Sequence, residues 1–228
     1  MDPILQAIAG FPAFSGLSAD ELSALRQIAA QRKFARGEIV FSEGDPGHGF
    51  YVVIAGQVKV YKLSPEGKEQ ILHIIRPGEP FGEVAVFAGR SFPANAEAIE
   101  AGRLLFLPRA SFVELIRRNP SLAMNMLAVL SRRLRQFTLQ VENLSLKEVP
   151  GRLASYLLVL SAEQGDAGVV KLPISKGQLA SLLGTIPETL SRIFARMTDQ
   201  GMIEVRGKTI DLLDRSGLKA VAEQGKGV

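Results

Sequence analysis

The sequence predicts an α+β protein in three segments: a region of short antiparallel strands, one long helix, and a helical region that closes on a hairpin. Three observations carry this. From Glu38 apolar residues recur with a period of two. From Asn119 to about Lys147 they fall into a heptad. Beyond that, helix-capping signals and a tight glycine turn precede two more short strands. The boundaries expected are 1–118, 119–147 and 148–228.

The long helix organises the chain. Leu127, Leu130, Leu134, Phe137, Val141 and Leu144 are spaced three, four, three, four, three, which is the seam of two helices wound around each other. Arg132, Arg133, Arg135, Gln136, Gln140 and Glu142 suit the watery faces. A helix packed on its own domain also fits, but one domain rarely needs so narrow and long a stripe. Pro120 suits a first helical turn, and Pro150-Gly151 punctuate the far end. The expectation is a homodimer.

Composition sets wide bounds. The 228 residues are 46% hydrophobic, enough for one or two packed cores. The absence of cysteine excludes disulfides, thiol catalysis and a thiolate-held iron–sulfur cluster. No apolar run reaches a membrane span, so no membrane partner is expected and the setting is cytoplasmic. A net charge of +4 permits a polyanionic partner. There is no Ser/His/Asp signature and no phosphate loop of the Gly-Lys-Ser kind, so an enzyme is not expected.

Residues 1–36 read as helical. Ser18-Ala-Asp-Glu21 forms a capping box, and Leu22, Leu25, Ile28 and Ala29 give a buried face. Strands follow at 39–41, 50–54, 58–61, 71–75, 94–99 and 104–107, with turn signals at 43–47, Ala55-Gly56, 64–67 and 76–78. Short strands at even spacing imply a small barrel or sandwich. Phe112, Leu115 and Ile116 mark a short helix before the long one.

After residue 148, Leu153, Leu157 and Leu160 share a helix face, and residues 165–168 form a loop. Ser175-Lys-Gly-Gln178 is a second capping box, for a helix that buries Leu179, Leu182 and Leu183 and stops at Gly184. Thr185-Ile186 connects it to a helix burying Leu190, Ile193, Phe194 and Met197. Helix, tight turn, helix is the helix-turn-helix layout, and 202–205 with 209–212 make a wing. Glu188, Ser191 and Arg192 lie together at the N-terminal end of the second helix, which reaches base edges. Arginine can bond guanine and glutamate the amino group of cytosine. The same residues also fit a local reading: a Thr185-x-x-Glu188 capping box and a Glu188–Arg192 helix pair. The set expected to face double-stranded DNA is Ser175, Gln178, Glu188, Thr189, Ser191, Arg192, Arg196 and Lys208.

Phe50-Tyr-Val-Val, Gly56-Gln-Val-Lys-Val60, Gly78-Glu-Pro-Phe-Gly-Glu83, Arg132-Arg-Leu134, Asn143-Leu144 and Ile186-Pro-Glu-Thr-Leu-Ser-Arg192 stand in order along the chain. In these stretches it resembles the Crp/Fnr family of transcription regulators. The resemblance implies a cyclic-nucleotide-binding-type β-roll, a long dimerisation helix and a C-terminal winged helix-turn-helix. It also implies a homodimer on palindromic DNA that engages RNA polymerase. Glu188-Thr-x-Ser-Arg192 resembles the Fnr-like branch, which recognises TTGA-type half-sites.

The resemblance places the effector pocket at Phe81, Gly82, Glu83, Phe92, Pro93, Ala94, Arg133 and Phe137. In cyclic-AMP receptors, Phe-Gly-Glu opens a phosphate cassette that closes on Arg-Ser-Ala. Here the close is Phe92-Pro-Ala94. Arg90-Ser91 lies just before it, and another gap placement would restore the match. The position presenting Thr to adenine is Phe137. Without the arginine a cyclic phosphate loses a charge-assisted bond, so cyclic AMP is not the expected effector. The stretch from Phe81 to Phe87 with Phe92-Pro-Ala94 resembles the HcpR-type regulators of nitrosative-stress genes, which brings haem and nitric oxide into view. His73, alternating with Ile71 and Ile75, and His48, in a glycine-rich loop, are able to ligate haem iron, although a lone histidine is more often simply hydrogen-bonded. Two further readings stay open: a regulator responsive to cyclic AMP, and a regulatory subunit acting on a protein partner.

Overall fold

The computed structural model describes residues 3–165 and 168–224. The chain forms two compact units, Met1–Leu134 and Arg135–Val228.

The first unit opens with α1 (Pro3–Ala9), a 3-10 turn (Pro12–Phe14) and α2 (Ala19–Ile28). The Ser18–Glu21 capping box forms: Glu21 N donates to Ser18 Oγ at 3.3 Å, and Ser18 N to Glu21 Oε2 at 2.6 Å. Helix does not continue to residue 36. Ala30–Phe34 is a strand, β1, paired antiparallel with a distant segment. It is an edge strand, exposed except at Phe34, and lacks alternation because only its hydrogen bonds hold it.

Then come β2 (Ile39–Phe41), β3 (Gly49–Leu63), β4 (Glu69–Ile75), β5 (Pro80–Phe81), α3 (Glu83–Ala88) and β6 (Asn95–Pro108). The main strand order is β1-β6-β3-β4, all antiparallel. Two expected pairs of strands are each one long strand. Ala55-Gly56 is not a turn; the β3–β6 register shifts between Val53 and Val58, which marks bulges. Gly102 of β6 crosses this bulge so closely that a Cβ there would lie 1.8 Å from the Ala55 carbonyl oxygen.

Alternation gives the sheet two apolar faces. Phe50, Val52, Leu105 and Leu107 face one core, with Phe14, Leu25 and Phe112. Val53, Val58, Ala96 and Leu104 face the other, with Phe34, Phe41, Phe81 and Phe92. Phe112 comes from α4 (Arg109–Arg118). The long helix, α5, runs Pro120–Leu146. Its Leu122 and Met126 are buried in the first core and Val129 packs on it. Asn119 Oδ1 accepts from Ser121 N at 3.0 Å and caps the helix start.

The second unit continues with α6 (Val149–Glu163), β7 (Val169–Lys171), α7 (Lys176–Leu182), α8 (Pro187–Asp199), β8 (Ile203–Arg206), β9 (Thr209–Leu212) and α9 (Arg215–Gln224). Pro150 and Gly151 lie inside the first turn of α6, where proline costs no hydrogen bond, so the break in helix falls just before them. The loop expected at 165–168 includes residues 166 and 167, which lie outside the described residues. The wing is joined by β7 in the order β7-β9-β8. Leu153, Leu157, Leu179, Leu190, Phe194, Met197 and Ile210 build the core.

Candidate nucleic-acid interface and effector pocket

The sequence of α7 and α8 sets the interface. Ser175 and Gln178 form their capping box: Gln178 N donates to Ser175 Oγ at 3.2 Å, and Ser175 N to Gln178 Oε1 at 2.9 Å. The Gln178 side-chain oxygen Oε1 is thereby engaged by the Ser175 backbone N–H. The turn into α8 is four residues, Leu183 to Ile186, two longer than expected.

The Thr185–Glu188 capping box does not form. Pro187 takes the first helical position, Ile186 becomes the N-cap without a side-chain bond, and Glu188 falls one place short of the box. Leu190, Ile193, Phe194 and Met197 are buried, which turns Glu188, Ser191, Arg192 and Arg196 outward. The Glu188–Arg192 helix pair is also absent among the described residues. Arg192 Nη2 instead donates to Thr189 Oγ1 at 3.2 Å. Glu188 and Arg192 are therefore not neutralised by each other.

Lys176 Nζ stands 5.1 Å above the Phe194 ring, a cation–π contact tying α7 to α8. On the wing, Arg206 reaches Glu204 at 2.7 Å and Asp211 at 3.3 Å. The hydrogen bond and charge of Glu204, with the charge of Asp211, push the Arg206 guanidinium further up. Lys208, at the exposed turn, is in no ion pair among the described residues.

This helix-turn-helix with a three-stranded wing matches the Crp-like helix-turn-helix domain over residues 151–221, and residues 31–119 match the cyclic nucleotide-binding domain. A cyclic AMP receptor protein of Thermus thermophilus is 33% identical over 213 residues, 93% of this chain and 97% of its own. The chain belongs to the Crp/Fnr family of transcription regulators. The transcriptional activator protein Anr of Pseudomonas aeruginosa is 29% identical over 90% of this chain and 86% of its own. The structure of FixK2 from Bradyrhizobium japonicum superposes with a TM-score of 0.74 at 28% identity, covering 85% of this chain and 97% of that one. This Crp/Fnr regulator is thus a DNA-binding protein and not an enzyme. No helix among its described residues is long and apolar enough to cross a membrane.

The cyclic-nucleotide-type cassette has a distinct interior. Gly82, at φ 76°, turns the chain from β5 into α3, whose first residue is Glu83. Glu83 is 2% exposed and pairs through Oε1 with Arg133 Nη1. Arg133 Nη2 also donates to the Pro80 carbonyl at 2.6 Å. Glu83 Oε2 is buried and has no hydrogen-bond partner among the described residues. Phe92 is buried and stacks on Phe41 with centroids 3.8 Å apart and rings 11° from parallel. Its Cε1 lies 3.0 Å from where a Cβ on Gly82 would sit. Phe81 is buried nearby, 5.9 Å from the Phe41 ring. Ala94 is buried, and Pro93 is exposed, its carbonyl accepting from Lys62 Nζ at 3.2 Å. Phe137 belongs to the second unit.

Phe41 was absent from the expected pocket. Alternation does not place it: Val40 and Phe41 are both buried in one core while Ile39 is exposed, across a shift in register, and the contact of Phe41 with Phe92 is not visible in a linear pattern. Arg90 and Ser91 are exposed. His73 Nε2 lies 3.5 Å from Glu79 Oε2. His48 is exposed. Among the described residues no three His, Cys, Asp or Glu side chains are grouped to hold a metal.

Proposed function

We propose that this regulator acts as a homodimer that reads a palindromic site with TTGA-type half-sites, under control of a small effector other than cyclic AMP. The observation that carries the DNA reading is the outward face of α8. Glu188, Ser191 and Arg192 are exposed at its N-terminal end and are not paired with one another. Arg192 takes guanine O6 and N7 while Glu188 accepts from a cytosine amino group. Selection from random duplexes tests this: enrichment of TTGA-like half-sites is expected, and their absence would overturn the reading.

Dimerisation is supported by the seam itself. Leu127, Leu134 and Val141 are 55%, 68% and 63% exposed in the single chain, Phe137 is exposed, and Leu130 is half-buried. Such a stripe on a helix marks an association surface. Leu144 is half-buried and, unlike the exposed members of the stripe, lines a cavity of its own chain beside Arg152, Leu182 and Leu183. Two copies paired here would present two α8 helices to half-sites about one helical turn apart, roughly 34 Å. RNA polymerase is the partner this reading assigns to the dimer on DNA.

The effector reading rests on Phe92. A stacked aromatic pair stands where the cassette would supply a cation and a hydroxyl, and a cyclic phosphate gains nothing from it. An apolar ligand suits these walls; haem held through His73 is not part of the proposal. A second reading, with cyclic AMP as effector, is supported by the unpartnered Glu83 Oε2, which would accept a ribose hydroxyl, and by the receptor from Thermus thermophilus. Calorimetry with cyclic AMP separates them: no heat of binding supports the first, and tight binding that strengthens DNA affinity supports the second.

A further inference from the structure

Within the second unit, the last turns of α5, with α6 and α7, line an open-mouthed cavity of about 220 Å³. Leu139, Leu144, Tyr156, Leu182 and Leu183 form its apolar walls, and Val159 lies at an exposed margin. One cation borders it, Arg152 of α6. Arg152 Nε is inaccessible to solvent and has no hydrogen-bond partner, while Nη1 makes only a long contact, 3.4 Å, to the Leu144 carbonyl. Among the described residues no carboxylate pairs with it. Burial pulls its pKa below the ordinary arginine value, the mark of a charge lacking compensation.

We propose that this cavity binds a small monocarboxylate with an apolar body, its carboxylate on the Arg152 guanidinium and its chain or ring among the leucines of α5 and α7. A carboxylate matches the guanidinium fork and supplies the missing acceptor. A phosphate dianion would face a single cation, because the neighbouring Lys147 Nζ is bonded to Ser155 Oγ at 3.0 Å. An apolar cavity of about 150 Å³ holds a benzene-sized guest, so this one suits a single ring or a chain of about eight carbons. The site lies outside the cyclic-nucleotide-type cassette and does not depend on its ligand. Because α7 is the first helix of the helix-turn-helix, a ligand here favours whichever arrangement of α5 and α7 keeps the cavity open.

Calorimetry on the full chain with sodium octanoate and 1-octanol tests this. One octanoate per chain is expected, bound at least about tenfold more tightly than octanol. Arg152→Gln should erase that preference and leave octanol binding, with a melting curve to confirm the fold. Val159→Glu, which places a carboxylate at the margin without touching the core, should weaken octanoate about tenfold. Equal affinity of the two ligands for the native protein, no heat with octanoate up to about 5 mM, or unchanged octanoate binding in Val159→Glu would overturn the proposal. Should Arg152→Gln fail to fold, Val159→Glu decides alone.

Discussion

Arg133 of α5 and Glu83 of α3 form a buried ion pair that fastens the long helix to the cassette. The Arg133 side chain is 14% exposed, so little water remains to screen the pair. Removing one partner strands the other in the interior. Arg133→Met should therefore destabilise the protein by roughly 3–5 kcal/mol in urea unfolding, while Arg133→Met combined with Glu83→Met should recover most of that loss. A double variant no more stable than the single one would show that the pair is not the source of the cost.

The seam of α5 makes a prediction about assembly. In the proposed dimer, Leu134→Glu would place a carboxylate without a partner in the apolar contact between two copies. Sedimentation should show monomer, and DNA binding should weaken with it. A dimeric Leu134→Glu protein would remove the seam assignment.

Base reading and phosphate contact should separate cleanly. Arg192→Ala should cost roughly 1–3 kcal/mol and relax the preference at one G·C pair. Lys208→Ala should weaken all sequences alike and lower the salt slope by about one. Arg206, held by Glu204 and Asp211, should contribute less to that slope than Lys208. Titrations at several salt concentrations on matched and mismatched duplexes measure both effects.

Acid should expose the role of Glu79. Burial works against its carboxylate. The hydrogen bond and charge of His73, the Arg76 N–H and the charge of Arg133 outweigh it and hold its pKa below the ordinary value. A depressed carboxylate stabilises the fold above its unfolded pKa and loses that contribution as pH falls through the folded value. Native protein should thus exceed Glu79→Gln by under about 1 kcal/mol near neutrality, since solvent reaches the pair. The difference should shrink and vanish as pH falls through the folded pKa. A gap that persists in acid would assign the effect to packing.

The sequence shows its organisation best where the signal is local. The heptad of α5 and the buried face of α8 repeat within a few residues, so periodicity alone finds them. β1 is different: residues 30–34 have no alternation, and their strand exists because β6, far along the chain, supplies the hydrogen bonds. Ala55-Gly56 reads as a turn, yet Gly56 and Gly102 both serve a crossing of two continuous strands. At the DNA face, Pro187 decides which residue caps α8, and Thr189 intercepts the arginine that helix spacing would give to Glu188. In the cassette, Phe92 is legible as a departure from the family pattern. Its stacking partner Phe41 is not, because only the folded sheet brings β2 beside it.

The crossing of β3 and β6 sets a limit on how this regulator can vary. The φ of Gly102 is not in the left-handed region; what it lacks is room, with the Ala55 carbonyl carbon 2.5 Å and the Phe34 ring 2.8 Å from any added methyl group. With the Ala55 carbonyl oxygen at 1.8 Å, two of the three nearest atoms belong to backbone and cannot swing aside. In a library carrying every residue at every position, position 102 should therefore tolerate glycine alone, although it touches neither DNA nor the cassette. Survival in such a library would rank it with Arg192, and a reader of the scores alone would mistake a steric bottleneck for a contact with a ligand.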